Sequence, residues 1–370
     1  MSSNSPVPAF VIAYSDSDFT NPHEVVLPDE PHDCRGDFTH MGAKYWGLET
    51  SRHRATTINA DAGLLEYNHE AHNSITIKLK ERTAVSKVTV STKWFTGNQA
   101  RAISVVFRDE LTGKEAEMLT RVPLRPDAEH KFEIAATVAT ECHVKIYYEG
   151  GLSRINFFGE PAAEQLPDRP NLLEHATLSH ISNEHYGHPR MAVKGTRVEM
   201  HMKGWESART GFGEQVLFAL RRPTTVEEIV VDTYLHRLNS PLSCHIFGLT
   251  QAVVETAVLD DLMRQRPRWK VRFRDGTEVL PNDFQAYMLE QKYLSEPVPN
   301  ATRFQIMLDA ADDSPWTPVL PFAPLRADTW HRFTQFADRG PFIHLLYLHY
   351  PNGGIHGLKL FGNEYVTMEA

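Results

Sequence analysis

The stretch Ser182-Asn183-Glu184-His185-Tyr186-Gly187-His188-Pro189, followed after a short loop by Lys203-Gly204-Trp205-Glu206-Ser207-Ala208-Arg209, gathers imidazole, carboxylate and guanidinium groups into one span. A weaker copy stands near the N-terminus. Ser15 to Pro22 lies 167 residues upstream, with Ser15 on Ser182, Phe19 on Tyr186 and Pro22 on Pro189. The block Gly47-Leu48-Glu49-Thr50-Ser51-Arg52 then falls on Gly204 to Arg209, so that glycine, carboxylate and guanidinium coincide.

Further blocks repeat in the same order. Val85 to Thr92 with Asn98 overlays Val226 to Thr233 with Asn239, and Leu124-Arg125 through His130 to Phe132 overlays Leu325-Arg326 through His331 to Phe333. Each half closes alike, on Glu149-Gly150-Gly151 and Phe157-Phe158-Gly159 in the first and on Asn352-Gly353-Gly354 and Leu360-Phe361-Gly362 in the second. Chance matches would not keep their order, so the chain is an internal duplication. Its expected repeats are residues 1–163 and 164–370, joined by the proline-rich segment Pro161 to Pro170.

Within each half the apolar period is two. Val88/Val90, Val144/Ile146/Tyr148 and Leu346/Leu348/Tyr350 alternate with residues of the opposite face, in β-branched and aromatic runs bounded by Gly, Asn and Pro. That pattern predicts an all-β protein of two tandem jelly-roll sandwiches. The offset between halves falls from 157 to 141 and rises to 201, which places about 16 extra residues around Ala55 to His72 and roughly 60 between Leu249 and Trp316. The second insert, about 250–315, reads as partly helical. Val254, Ala257, Val258, Asp261 and Leu262 suit one helix, and Asn282 or Asp283 would cap another carrying Phe284, Tyr287, Met288 and Leu294.

With 370 residues, 41% hydrophobic and 23% charged, the chain can bury a large core, and its length favours two domains. A net charge of −9 without clustered Lys and Arg argues against nucleic-acid and anionic-membrane partners and for a small-molecule substrate. The scattered Cys34, Cys142 and Cys244 form neither a disulfide framework nor a paired-cysteine metal site. With no leader-like N-terminus and no apolar run of about 18 residues, a cytoplasmic location is expected.

Together these blocks resemble the allantoicase family, most clearly through Glu184 to Pro189, Gly204 to Arg209, Val231-Asp232-Thr233, Trp94 to Asn98 and the blocks ending at Phe132 and Phe333. The resemblance covers nearly the whole chain apart from the two inserts. It implies two tandem galactose-binding-like jelly rolls, cleavage of allantoate to ureidoglycolate and urea, and homo-oligomers as an expected assembly. The chain departs from the family pattern in places. The family usually has Asp before Gly-Trp-Glu-Thr, where Trp46 and Lys203 stand here. A typical His-Asp-Trp is replaced by His72-Asn73-Ser74 and Phe212-Gly213-Glu214-Gln215, and a Gly-Asn-Phe/Tyr-Pro turn by Arg237 to Pro241.

Allantoate carries a carboxylate and two ureido groups, so its hydrolysis needs a cation, an acid for the leaving urea and a base for water. Arg209 is the expected carboxylate clamp. His185 and Glu206 are the expected proton carriers, with His331 as a third catalytic candidate, while His188, Asn239 and Tyr186 are expected to line the substrate. Structural roles compete. Glu206 and Arg209 recur as Glu49 and Arg52, as a local salt bridge would; His188 before Pro189 suits a turn; His331 recurs as His130. The sequence specifies no cofactor. His180, Glu184, His185, His188 and His201 carry metal-ligand chemistry, but their spacing matches no zinc motif and a divalent metal is not favoured. Two further functions stay open: recruitment to another C–N cleavage or cyclisation in specialised metabolism, and ligand binding without catalysis.

Overall fold

The computed structural model describes residues 5–16, 19–40, 42–44, 46–163, 169–194, 204–209, 213–252, 255–274, 276–279, 304–309 and 313–365. It divides into two compact units, Met1–Pro167 and Asp168–Ala370. Each is an antiparallel β-sandwich, as the period-two pattern requires.

In the first unit the strands run Ala9–Tyr14, His72–Ser91, Glu129–Tyr147, Ala102–Asp109 and Lys114–Pro123, and Arg154–Pro161 also pairs with His72–Ser91. The two long strands are shared between layers. His72 to Lys78 pairs with Glu141 to Tyr147, and Thr83 to Ser91 with Glu129 to Ala139, with a break in register between Ala139 and Glu141. A break of this kind bends a strand so that one chain segment serves both layers of a sandwich. The second unit repeats the plan with Thr177–Ser179, Glu214–Asp232, Phe342–Tyr350, Ser243–Leu249 and Thr317–Pro324, while Trp330–Phe333 and Gly357–Glu364 pair with the far half of Glu214–Asp232. Its register break falls between Ala219 and Thr224.

The alternating side chains fill the two cores. Ile75, Ile77, Val88, Val90, Val144 and Ile146 are buried together in the first, and Val216, Phe218, Ile229, Val231, Leu345 and Tyr347 in the second. Each such side chain contributes about 1.5–3 kcal/mol on burial. The Phe342–Tyr350 strand departs from simple alternation because its outer face is covered as well. Leu346 and Leu348 pack with Leu217, Phe247, Leu249, Met263 and Trp316 in a separate cluster under the insert.

That insert holds one described helix, Thr256–Arg264, and a three-stranded sheet of Glu278–Val279, Arg268–Phe273 and Phe304–Asp309. The helix turns a different face inward from the expected one. Leu259, Leu262 and Met263, at helical spacing, pack on the sheet, whereas Val258 is exposed. The main-chain carbonyl of Leu262 accepts the Trp316 indole N–H at 2.9 Å, which ties the helix to the outer sheet face. Val254 and the expected second helix, with Asn282, Asp283, Phe284, Tyr287, Met288 and Leu294, lie outside the described residues. The first-half insert is a hairpin, Thr56–Asn59 with Leu64–Tyr67. Cys34, Cys142 and Cys244 are buried free thiols. No described helix is long and apolar enough to cross a membrane.

Candidate functional site

In both units the repeated loops converge on one end of the sandwich. Glu206 ends the two-residue strand Trp205–Glu206, which pairs with Gly354–Ile355. The loop that begins at Ser182 seats on it. The Asn183 carboxamide oxygen accepts the main-chain N–H groups of His185 at 3.0 Å and Ala208 at 3.1 Å, and the Trp205 indole donates to the Asn183 carbonyl at 2.8 Å. In the first unit Asp16 accepts from Ser51 at the equivalent place, with 3.0 Å to its main-chain nitrogen.

The repeated carboxylates differ in their company. Glu49 is buried, bonded by Arg52 at 2.5 Å and by the Asn98 amide at 3.0 Å. Burial raises its pKa above the ordinary carboxylate value, against the opposing effects of Asn98 and Arg52. Glu206 keeps the amide, with Asn239 donating at 2.7 Å, but among the described residues Arg209 is exposed and makes no ion pair with it. Glu206 itself is half-buried. The second unit therefore has an amide-oriented carboxylate and an uncommitted guanidinium where the first has a closed salt bridge.

Beneath Glu206 the packing changes from apolar to imidazole. At the 141-residue offset of the strand block, Phe95 corresponds to His236, and at the 203-residue offset of the closing glycines, Ile146 corresponds to His349. A Cβ at Gly151 would lie 2.1 Å from the Phe95 ring, and one at Gly354 would lie 2.1 Å from the His236 ring, so the two rings fill the same slot against the same glycine. His236 and His349 are 1% and 0% exposed. The Nε2 of His236 and both ring nitrogens of His349 have no hydrogen-bond partner among the described residues. The indole of Trp205 lies 4.9 Å from the His349 ring and replaces Leu48 of the first unit.

Burial pushes His236 below the ordinary imidazole range, further than the neighbouring Glu206 carboxylate raises it. Burial, together with His236, pushes His349 down to about 3. Both rings are therefore neutral at physiological pH. Glu214 is buried beside them and bonded by the Ser182 hydroxyl; burial raises its pKa, while bonds from Ser182 and Ser207 oppose the rise. A neutral imidazole layer under an oriented carboxylate presents polar ring nitrogens to it without placing a charge in the core.

The other expected site residues are distributed as follows. His185 and Tyr186 are exposed on the loop above Trp205, their rings edge-on at 4.4 Å, and the Tyr186 N–H donates to the Glu206 carbonyl at 3.0 Å. His188 caps the helix Pro189–Val193, its Nδ1 accepting the Arg190 N–H at 2.9 Å; its counterpart Asn21 caps Pro22–Val26 in the same way. His331 is held in a turn. Its Nε2 accepts the Arg326 N–H at 2.8 Å and its Nδ1 donates to the Val231 carbonyl at 3.0 Å. His130 makes the matching bonds to Arg125 at 2.9 Å and Val90 at 3.3 Å. With both nitrogens bonded to the main chain, His331 has no nitrogen to offer a substrate in this conformation. Thus Glu206 and Asn239 are in contact, His185, Tyr186 and Arg209 lie on the loops around them, and His188 and His331 serve the backbone.

Among the described residues no group of three or more His, Cys, Asp or Glu side chains is placed to hold one metal ion. His180 instead pairs with Asp260 at 2.9 Å and His188 with Glu184 at 3.4 Å, while His201 lies outside the described residues.

A family model described as the allantoicase repeat matches residues 3–162 and again 171–365. The chain belongs to the allantoicase repeat family. Curated relatives include a probable allantoicase of Nocardia farcinica, 24% identical over 95% of this chain and 90% of that protein, and one of Pseudomonas paraeruginosa, 26% identical over 95% and 92%. The crystal structure of allantoicase from Saccharomyces cerevisiae is similar at 17% identity, covering 96% of this chain and 90% of that chain with a TM-score of 0.33.

His236, His349 and Glu214 join the candidate site through the geometry and are not among the site residues expected from the sequence. Their signal was nonetheless in the duplication: each replaces a residue of different chemistry in the first copy, Phe95, Ile146 and Asn73.

Proposed function

We propose that this protein hydrolyses a C–N bond of a small ureido-type anion, with allantoate as the substrate and ureidoglycolate and urea as products, at the Glu206 end of the second sandwich. The observation that carries the proposal is the asymmetry between repeats. One carboxylate is closed off by Arg52 over an apolar floor, whereas its copy makes no ion pair with the exposed Arg209 among the described residues and lies over a floor of neutral histidines. Family membership supports the same reaction class.

In this reading the Arg209 guanidinium binds the substrate carboxylate with two parallel charge-assisted hydrogen bonds. The oxygen of water bonds to the carbon bearing the ureido groups, and the bond from that carbon to one ureido nitrogen breaks. Glu206, oriented by Asn239, takes one proton from the attacking water and delivers it to the departing nitrogen; the other proton stays on the new hydroxyl. His236 answers the changing charge on Glu206 from below, and His185 and Tyr186 close over the ligand. The direct test is to incubate the purified chain with allantoate and follow urea. Release at roughly 1–1000 per second is expected of a working enzyme. A folded sample that releases none would overturn the substrate assignment. It would favour the second reading, a different C–N cleavage, which is supported by Lys203 and Glu214 at positions where the family resemblance leads one to expect other residues.

A further inference from the structure

We propose that the first repeat carries a separate binding site for a small organic anion with a flat conjugated body, in the cleft walled by His32, Arg35, Lys44, Trp46, Lys93 and Trp94. This cleft has a volume of about 460 Å³, in the range of sites for one- or two-ring ligands. Among the described residues every ionisable side chain on its wall is basic apart from the buried thiol of Cys34, and no carboxylate lines it. The carboxylates that accompany Arg35 and Lys93, Asp33 at 2.7 Å and Glu30 at 2.9 Å, stand outside the wall, and Glu30 is exposed. Among the described residues Lys44 makes no ion pair; its ammonium lies 5.6 Å from the Trp46 ring centre.

The aromatic part of the wall is fixed. Trp94 adopts a left-handed backbone with φ of 74°, a conformation that costs a side-chain-bearing residue about 1 kcal/mol or more. It is held there by the Asp127 carboxylate, which accepts its main-chain N–H at 2.8 Å, and by its indole N–H, which donates to the Pro31 carbonyl at 2.8 Å. The second repeat has the same backbone at Leu235, with φ of 64° and an Asp328 bond of 2.9 Å, but no indole. The turn is thus a property of the repeat, while the aromatic surface belongs to the first copy. The guanidinium of Arg35 sits 4.5 Å from the Trp94 ring centre and the Lys93 ammonium 5.3 Å from it, so cations and π-surface are presented together. The Trp46 ring adds a second indole to the wall, tilted against His32 with ring centres 5.3 Å apart. The Asn98 amide, which holds Glu49 at 3.0 Å, reaches the same cleft. The first repeat therefore puts a ligand site at the end of the sandwich where the second repeat puts its carboxylate and histidines.

The test is calorimetric titration of the full chain with 2-naphthoate, with 2-naphthamide, which keeps the rings and loses the charge, and with acetate, which keeps the charge and loses the rings. Naphthoate should bind saturably, and the amide and acetate at least about 10-fold more weakly. Lys44→Glu, at an exposed position, should weaken naphthoate by about 10-fold or more while leaving the melting temperature and any urea release unchanged. Trp46→Phe, which shortens the aromatic wall by one ring, should weaken it by roughly 3–10-fold. Absence of saturable naphthoate binding up to about 10 mM, equal binding of acetate, or undiminished binding to the folded Lys44→Glu variant would each overturn the proposal.

Discussion

Replacing His349 by Ile, the residue at the equivalent position in the first repeat, should stabilise the protein and slow it at the same time. His349 is fully buried with both ring nitrogens lacking a hydrogen-bond partner among the described residues. Removing a buried polar group that is unsatisfied and filling its place with an apolar group of similar size recovers about 1–3 kcal/mol at neutral pH. For a unit of this size that corresponds to roughly 2–10 °C in melting temperature. The pH dependence gives an independent check. The folded pKa of His349 is depressed to about 3, below the ordinary imidazole value of 6.5, so its neutral form adds stability above pH 6.5 that is lost as pH falls toward 3. The loss is about 1.4 kcal/mol per pH unit, or about 2 kcal/mol at pH 5. His349→Ile should therefore melt higher at pH 7 and widen its lead at pH 5, while its turnover falls by about 100-fold as the polar imidazole floor under Glu206 is lost. Scanning calorimetry at both pH values reads the first two effects. A melting temperature lowered by several degrees at pH 7, with no change in acid sensitivity, would refute the reasoning, because it would mean that the ring nitrogens are satisfied and the imidazole is a packing element.

Three further outcomes follow from the same geometry. Arg209→Ala should raise the KM for allantoate by about 10–100-fold with a smaller change in kcat, as expected when a charge-assisted clamp is lost, and steady-state kinetics would show it. His331→Ala should cost about 1–3 kcal/mol in denaturant unfolding, since it strands the Arg326 N–H and the Val231 carbonyl, and should leave kcat in the folded fraction within a few-fold of the parent. Gly354→Ala puts a methyl group 2.1 Å from the His236 ring; it should destabilise the second unit by about 1–3 kcal/mol in denaturant unfolding and lower activity by displacing that ring.

The fold was legible because duplication wrote its structural positions twice. His130 and His331 bridge the same two main-chain groups, Asn21 and His188 cap the same short helices, and Gly151 and Gly354 admit a ring in the same slot. Repetition marks what the sandwich needs, and for that reason it is a poor guide to chemistry. Glu206 and Asn239 stand out in the sequence because they carry functional groups in both copies. His236 and His349 do not, because they sit in strand and turn segments where the neighbours are apolar, and a single histidine in such a run resembles a core residue. What distinguishes them is the contrast with Phe95 and Ile146, which appears only when the copies are compared position by position. The insert helix was legible in its existence but not in its face: its apolar residues on both sides left the choice to the outer sheet surface, which took Leu259, Leu262 and Met263.

The most direct measurement of the central claim, that the second repeat performs the chemistry and the first does not, is urea release from allantoate by Glu206→Gln and Glu49→Gln beside the parent chain. Glu206→Gln should lose about 100-fold or more in turnover while remaining folded, and Glu49→Gln should lose stability with its Arg52 bond but keep turnover per folded molecule within a few-fold. The reverse pattern, an active Glu206→Gln and a folded but inactive Glu49→Gln, would move the active site to the first repeat and contradict the account.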